Sequence, residues 1–260
     1  MGLWNEGFRR IQVFVLMAAT VLPLQLLAQQ AQNEFKAQSL TADQIVERMT
    51  ERNRERSERL QHVTSIRHYH LEYHGFPGDR AASMEVEAQF DAPGSKSFRV
   101  LSQTGSKLLI DRVLKKLLES ESDATKHQHN SDLTVANYKF ELKGTEKNAN
   151  ASYYVLAVEP RAASKYLYRG QVWVDANDFA VARIDAQPAV NPSFMIRKTE
   201  IHHVYAKVGH FWFPQQNRTV SKIRLGGVAT LAIDYGEYKL GDSPDASRTA
   251  ESEAALGAGK

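Results

Sequence analysis

The 260-residue sequence contains no cysteine. That excludes thiol nucleophiles, thiolate-bound zinc, iron–sulfur clusters and disulfides. It also excludes a lipid-modified N-terminal cysteine, so the mature chain is not expected to be a lipoprotein itself. An excess of one charge is lacking too: 33 Lys and Arg stand against 30 Asp and Glu, a net charge of +3. A dedicated nucleic-acid binder carries a clustered basic surplus, so nucleic acid is not an expected partner. Catalytic signatures are missing as well. There is no GxSxG elbow, no P-loop, no HExxH and no GxGxxG after a strand, and the carboxylates are scattered, with no pair whose context raises a pKa. Neither an enzyme nor a cofactor is expected.

Long apolar runs are also absent. Ile11–Leu22 is mostly apolar, but Gln12, Pro23 and Gln25 weaken it against the about 20 apolar residues that a spanning helix wants. Arg9 and Arg10 precede it and the small Ala28 follows. Residues 1–28 therefore read as a secretory signal cleaved near Ala28, with a retained anchor as the alternative. Export without cysteine suits a bacterial periplasm, where a large core can replace disulfides. Hydrophobic residues make up 42% of the chain, enough for such a core. Residues 29–39 read as a polar linker. Residues 241–260, with Leu256 as the one large apolar side chain, read as a disordered tail. One domain, 40–240, lies between them.

Within that domain a helix opens at Thr41, which forms a capping-box pattern with Gln44. Ile45, Val46, Met49 and Leu60 are its few apolar positions, and five Arg and four Glu fill Glu47–Arg59. The pattern is that of a solvated face over a narrow contact stripe; a docking surface for a membrane protein partner is the alternative. From Val63 the period changes to two. Strands are expected from Val63 to His74, at Ala82–Asp91 and at Ser97–Gln103. Ser106 then caps an amphipathic helix whose stripe, Leu108, Leu109, Val113, Lys116 and Leu117, is widened by Ile110, Leu114 and Leu118. Seven further strands follow: Asn137–Lys143, Ser152–Glu159, Tyr168–Asp175, Phe179–Ala186, Ser193–Val208, Phe211–Leu225 and Val228–Leu240. Short gaps make successive strands antiparallel neighbours. Nine to ten strands must curl, stack or close. The expected class is α+β, mainly antiparallel β: an incomplete, strongly curved β-barrel with helices packed on the concave face.

Two groups of side chains invite a functional reading. His68, His70 and His74 share one strand face around Glu72. Side chains at i and i+2 lie about 7 Å apart, so His68 and His70 could share a metal, with His74 joining if the strand curves. A half-buried antiparallel strand shows the same alternation with nothing bound, its polar face opposite Tyr69, Leu71 and Tyr73. Trp173, Phe211, Trp212 and Phe213 suit either a core or a ligand cavity, and a curved sheet closed by a helix leaves an apolar hollow.

Several of these stretches together resemble the LolA/LolB-like superfamily of periplasmic, outer membrane lipoprotein-sorting proteins. They are the export signal, Thr41-Ala-Asp-Gln-Ile-Val46 opening a helix, and Gly170-Gln-Val-Trp-Val-Asp175 followed by Phe179–Asp185. Phe211-Trp-Phe-Pro214 and the closing strands Val228–Tyr238 complete the set, over about residues 40–240. The sequence departs from the best-known carriers in its C-terminal tail and its charged first helix, and no functional residue of theirs is carried over. The resemblance implies an incomplete barrel with helices as a lid, binding acyl chains of lipid or lipoprotein. Keeping about fourteen methylenes from water is worth about 11 kcal/mol, so a lipidated protein needs a shield and a lid that lets it leave. The wall candidates are Tyr69, Leu71, Phe98, Val100 and Trp173; the lid candidates are Leu109, Val113 and Leu117. The alternatives are a sensor module of the same fold that binds a membrane protein, and a metal-dependent enzyme built on His68, His70 and His74.

Overall fold

The computed structural model describes residues 40–92, 94–124, 132–164, 166–191 and 193–241. Residues 1–39 and 242–260, read above as signal, linker and tail, lie outside them, while Gly241 belongs to a strand. The chain divides into units at Thr41–Ala42, and the elements described here belong to the second unit, Ala42–Lys260.

Helix α1, Ala42–Arg59, buries only Ile45, Val46 and Met49. That spacing is one narrow stripe. Ten strands follow: β1 (His62–His74), β2 (Arg80–Asp91), β3 (Ser95–Gly105), β4 (Tyr138–Lys147), β5 (Ser152–Pro160), β6 (Tyr168–Asp175), β7 (Val181–Pro188), β8 (Ile196–Val208), β9 (Phe211–Ile223) and β10 (Val228–Gly241). They form one sheet in the order β3-β2-β1-β10-β9-β8-β7-β6-β5-β4, antiparallel at every pairing. The sheet is open, with β3 and β4 at its edges. A twist of about 20° per strand pair accumulates to about half a turn over such a sheet, so it cannot be flat. The result is the half-barrel that alternation and turn spacing predict. Edge strand β4 carries Lys139, Glu141, Lys143, Glu146 and Lys147, charges that discourage another chain from pairing there.

Consecutive strands β3 and β4 lie at opposite edges, so the chain between them must travel across the sheet. The connection begins with α2 (Lys107–Leu109), a π-helical turn (Ile110–Leu114) and α3 (Lys115–Ala124). Ser106 precedes α2 as expected, but its side chain makes no capping hydrogen bond.

Register shifts re-aim side chains. Ser65 pairs with Tyr238 and Arg67 with Tyr235, so β10 spends one more residue than β1 over this step. Gly236 occupies the bulge, where a Cβ would sit 3.0 Å from the Ile66 carbonyl oxygen. An extra residue reverses the alternation of side chains beyond it. Tyr235 and Tyr238, three apart, therefore reach the same cavity.

One strand starts later than the hydrophobic pattern suggests. β7 begins at Val181, and Phe179 belongs to the preceding turn at φ 49°. Asp175 Oδ1 accepts there from the Asn177 and Asp178 amides, at 3.0 and 2.8 Å. A left-handed conformation costs an L-residue about 1–2 kcal/mol. The Phe179 ring compensates by stacking on Tyr154, centroids 6.0 Å apart, and by lying 5.3 Å from the Arg48 guanidinium.

Candidate ligand-binding site

On β1 the odd-numbered residues Val63, Ser65, Arg67, Tyr69 and Leu71 are all buried. The same face continues through Met84 and Val86 of β2 and Ile233 of β10, matched to β1 by register. Helix α2, the π turn and α3 cover it. Leu109, Ile110, Leu114 and Leu118 join Tyr69, Leu71, Ala82, Met84, Val86 and Ile233 in one apolar cluster, with Phe98, Leu117, Leu231 and Tyr235 packed at its margin.

Within the expected stripe the weight falls on its widening positions Ile110, Leu114 and Leu118 together with Leu109. The Lys115 amide donates to the Ile110 carbonyl, an i→i+5 bond. This wider turn rotates the following residues relative to an α-helix. Leu114 swings fully into the core, while Val113 is left 39% exposed. Among the wall candidates, Tyr69 and Leu71 lie in the cluster and Phe98 packs against it. Val100 shares the face of Phe98 by ordinary alternation, both opposite inward residues of β2 and before the register shift at Leu101, but it is 40% exposed. Trp173 lies elsewhere. It pairs with Arg183 on the face opposite Val172 and Ile184. There the Arg183 guanidinium sits 3.5 Å above its ring and its Nε1 donates to Glu146 at 2.7 Å.

Beside the cluster lies a cavity of about 200 Å³ whose walls include Val63, Ala88, Phe90, Phe213, Tyr235 and Tyr238, with Arg67, Lys96 and Glu121 among them. Phe213 stacks on Tyr238, ring centroids 4.4 Å apart. Arg67 is only 7% exposed. Its guanidinium lies 5.4 Å from the Phe98 ring and 5.1 Å from the Tyr235 ring, a cation held between two π faces. Its Nη1 donates to both carboxylate oxygens of Glu121, at 2.9 and 3.1 Å. Lys96 of β3 donates to the same carboxylate. Burial pulls the Glu121 carboxyl upward, but Lys96 and then Arg67 more than offset this and hold it below the usual carboxylate range. Burial opposes charge on Arg67 as well, and Glu121 outweighs it, so the guanidinium is held more firmly protonated than usual. The carboxylate of α3 thus anchors the helix to the sheet through a mostly buried ion cluster. Burial raises the phenols of Tyr69, Tyr235 and Tyr238 above their ordinary range.

Arg67, Lys96, Glu121, Tyr235 and Tyr238 were not among the residues singled out by pattern. For Arg67 the signal was present: the alternation through Tyr69 and Leu71, extended back two residues, puts it inside. Pairing Glu121 with it requires knowing how the helix lies on the sheet.

The histidine face spends its side chains on local partners. His70 bonds Ser83 at 2.9 Å and Glu72 at 3.1 Å, and His74 bonds Asp79 at 3.0 Å. Among the described residues, no group of three or more His, Asp or Glu is arranged to hold a metal ion. On α1 much of the charge is paired within the helix: Arg52 with Glu55, and Arg54 with Glu51 and Glu58. Arg56 instead donates to the Asp178 and Phe179 carbonyls of the β6–β7 turn, at 3.0 and 3.3 Å.

A family model described as "Family of unknown function (DUF5686)" matches residues 131–235, less than half of the chain. No curated protein matches the sequence. Three solved structures are similar at low identity. A DUF1329 family protein from Desulfovibrio piger is 12% identical, with 78% of this chain and 94% of that one covered and a TM-score of 0.42. A LolA superfamily protein from Nitrosomonas europaea is 15% identical, with 80% and 96% covered and a TM-score of 0.33. The MucA/MucB complex of Pseudomonas aeruginosa matches at 11% identity, with 78% and 99% covered and a TM-score of 0.24. Scores of this size carry no functional argument. The architecture itself, an open antiparallel half-barrel with a helical layer on one face, is the one that the LolA-like resemblance implies.

Proposed function

We propose that this chain is an exported, non-catalytic binding protein of the periplasm. In this reading α2–α3 is a displaceable lid, and the sheet face beneath it holds acyl chains of a lipid or lipoprotein. One observation carries the reading: the helical layer rests on the sheet through four aliphatic side chains, Leu109, Ile110, Leu114 and Leu118, beside a hollow that is already open. Exposing four such side chains costs about 6–12 kcal/mol, and burying about fourteen methylenes returns about 11 kcal/mol. The two nearly balance, so an acyl chain can take the place of the helix stripe without a large net cost. The cavity as it stands holds only about six or seven methylene-sized groups, at the about 30 Å³ that liquid allots to a water molecule. A full acyl chain therefore needs the helix to move. The signal-like N-terminus supports export, and the missing catalytic motifs favour binding over chemistry.

The test is to export the full chain, purify it, and measure both co-purifying lipid by mass spectrometry and saturable binding of N-phenyl-1-naphthylamine, an uncharged apolar dye. Bound acyl lipid, and dye displaced by added long-chain lipid, are expected. A lipid-free protein that leaves the dye dark would refute the reading.

A further inference from the structure

Among the described residues that line the cavity, two cations, Arg67 and Lys96, face one carboxylate, Glu121. Arg67 is more than nine-tenths buried. One of its nitrogens, Nε, is shut off from solvent, and so is the hydroxyl of Tyr69, two residues along the same face. The two groups are close enough for the hydroxyl to feel the guanidinium charge. The hydroxyl can accept from the guanidinium and still has its own proton to donate, and a buried donor without an acceptor is costly to maintain. An anionic oxygen near the pair would accept the proton that the hydroxyl has left and would attract both cations. Charge-assisted bonds of this kind are about twice as strong as neutral ones. Val63, Ala88, Phe90 and Phe213 give the wall an apolar flank, with the polar Ser65 and Gln89 beside it. A cationic end and an apolar flank in one cavity match a molecule with an anionic head and a hydrocarbon tail.

The geometry points to an amphiphile with an anionic head, carboxylate or phosphate, as the ligand of this site. Its head rests on Arg67, Tyr69 and Lys96, and its chain runs along Phe90 and Phe213 toward the helix-covered face. This rests on the acyl-binding reading above and adds the head group to it. It also gives Glu121 a second part: an incoming anion competes for the same two cations, which loosens the hold of α3 on the sheet as the chain enters.

The test compares dodecanoate, dodecyl phosphate, dodecanol and dodecyltrimethylammonium by calorimetry on the purified full chain at neutral pH. At least one anionic amphiphile should bind about tenfold or more tighter than dodecanol, with the cationic one weakest; the two anionic arms separate a fatty-acid head from a phosphate head. Arg67→Met should erase the preference for the anion and leave dodecanol binding. Lys96→Gln, at a more exposed position, should reduce the preference and guards against an Arg67 variant that does not fold. Dodecanol binding as tightly as both anions would overturn the head-group inference and leave the acyl reading intact. So would a preference that survives in both variants. Binding of none of the four would overturn both.

Discussion

Leu114→Ala and Val113→Ala, measured side by side, test the helical register that decides which residues close the hollow. Leu114 has no exposed surface and sits in the apolar cluster. Truncation to alanine removes three carbons, worth about 2.4 kcal/mol at about 0.8 each. The cavity left behind brings the loss to about 3–5 kcal/mol. Val113 loses two carbons from a side chain that is 39% exposed, so burial accounts for about 1 kcal/mol. Alanine is the better helix former by about half a kcal/mol, which leaves a net loss of about half a kcal/mol. The two variants should therefore differ by at least about 2.5 kcal/mol. In urea unfolding followed by circular dichroism, with slopes of about 1–3 kcal/mol/M, the Leu114 midpoint falls by about 1–2 M or more while that of Val113 barely moves. An uninterrupted α-helix would bring Val113 closer to the buried face while keeping Leu114, four residues from Ile110, on it. Equal losses, or a larger loss at Val113, would refute the π-turn register and with it the lid stripe.

Two further outcomes follow from the same structure. His203 is held at about 4 against an ordinary 6.5, first by burial and then by the neighbouring charge of His202, with a hydrogen bond to Asn217 acting the other way. The folded chain keeps this ring neutral while the unfolded chain protonates it, so its contribution is intact above about 6.5 and is lost as pH falls toward 4. At 1.36 kcal/mol per unit this amounts to at most about 3 kcal/mol. His203→Gln should lose stability less steeply across that window in urea titrations at stepped pH, and an unchanged slope would remove His203 as the cause. Gly236→Ala brings a Cβ to 3.0 Å from the Ile66 carbonyl. A loss of about 1–3 kcal/mol is expected, as for other overpacked sites, together with a change in the near-UV signal of Tyr235 and Tyr238. A variant as stable as the parent would mean that the bulge does not depend on that close approach.

The strands were legible because their evidence is local. Alternation through Tyr69 and Leu71, turn glycines and short gaps placed all ten close to where they lie. Phe179 misled because an apolar residue after a turn reads as the start of a strand, and the turn instead holds it in a conformation that L-residues avoid. Val113 misled because a helical wheel assumes one pitch, and the π turn changes the pitch midway through the stripe. Trp173 was drawn to the cavity by its size, although strand parity alone opposes it to Val172.

The amino-acid sequence by itself determined what the chain cannot do with sulfur, the antiparallel order of its neighbouring strands and the apolar character of the helix between β3 and β4. Each depends on residue type or on spacing within a few positions, and chemistry of that range is written locally. Tertiary structure alone decided that β1 pairs with β10, that a bulge at Gly236 brings Tyr235 and Tyr238 into one cavity, and that Glu121 meets Arg67 and Lys96 beneath a helix. Those contacts join residues 25 to more than 170 positions apart. They form only when a twisted sheet curls and its connecting helix packs on one face, because which charges become neighbours depends on that packing rather than on any motif.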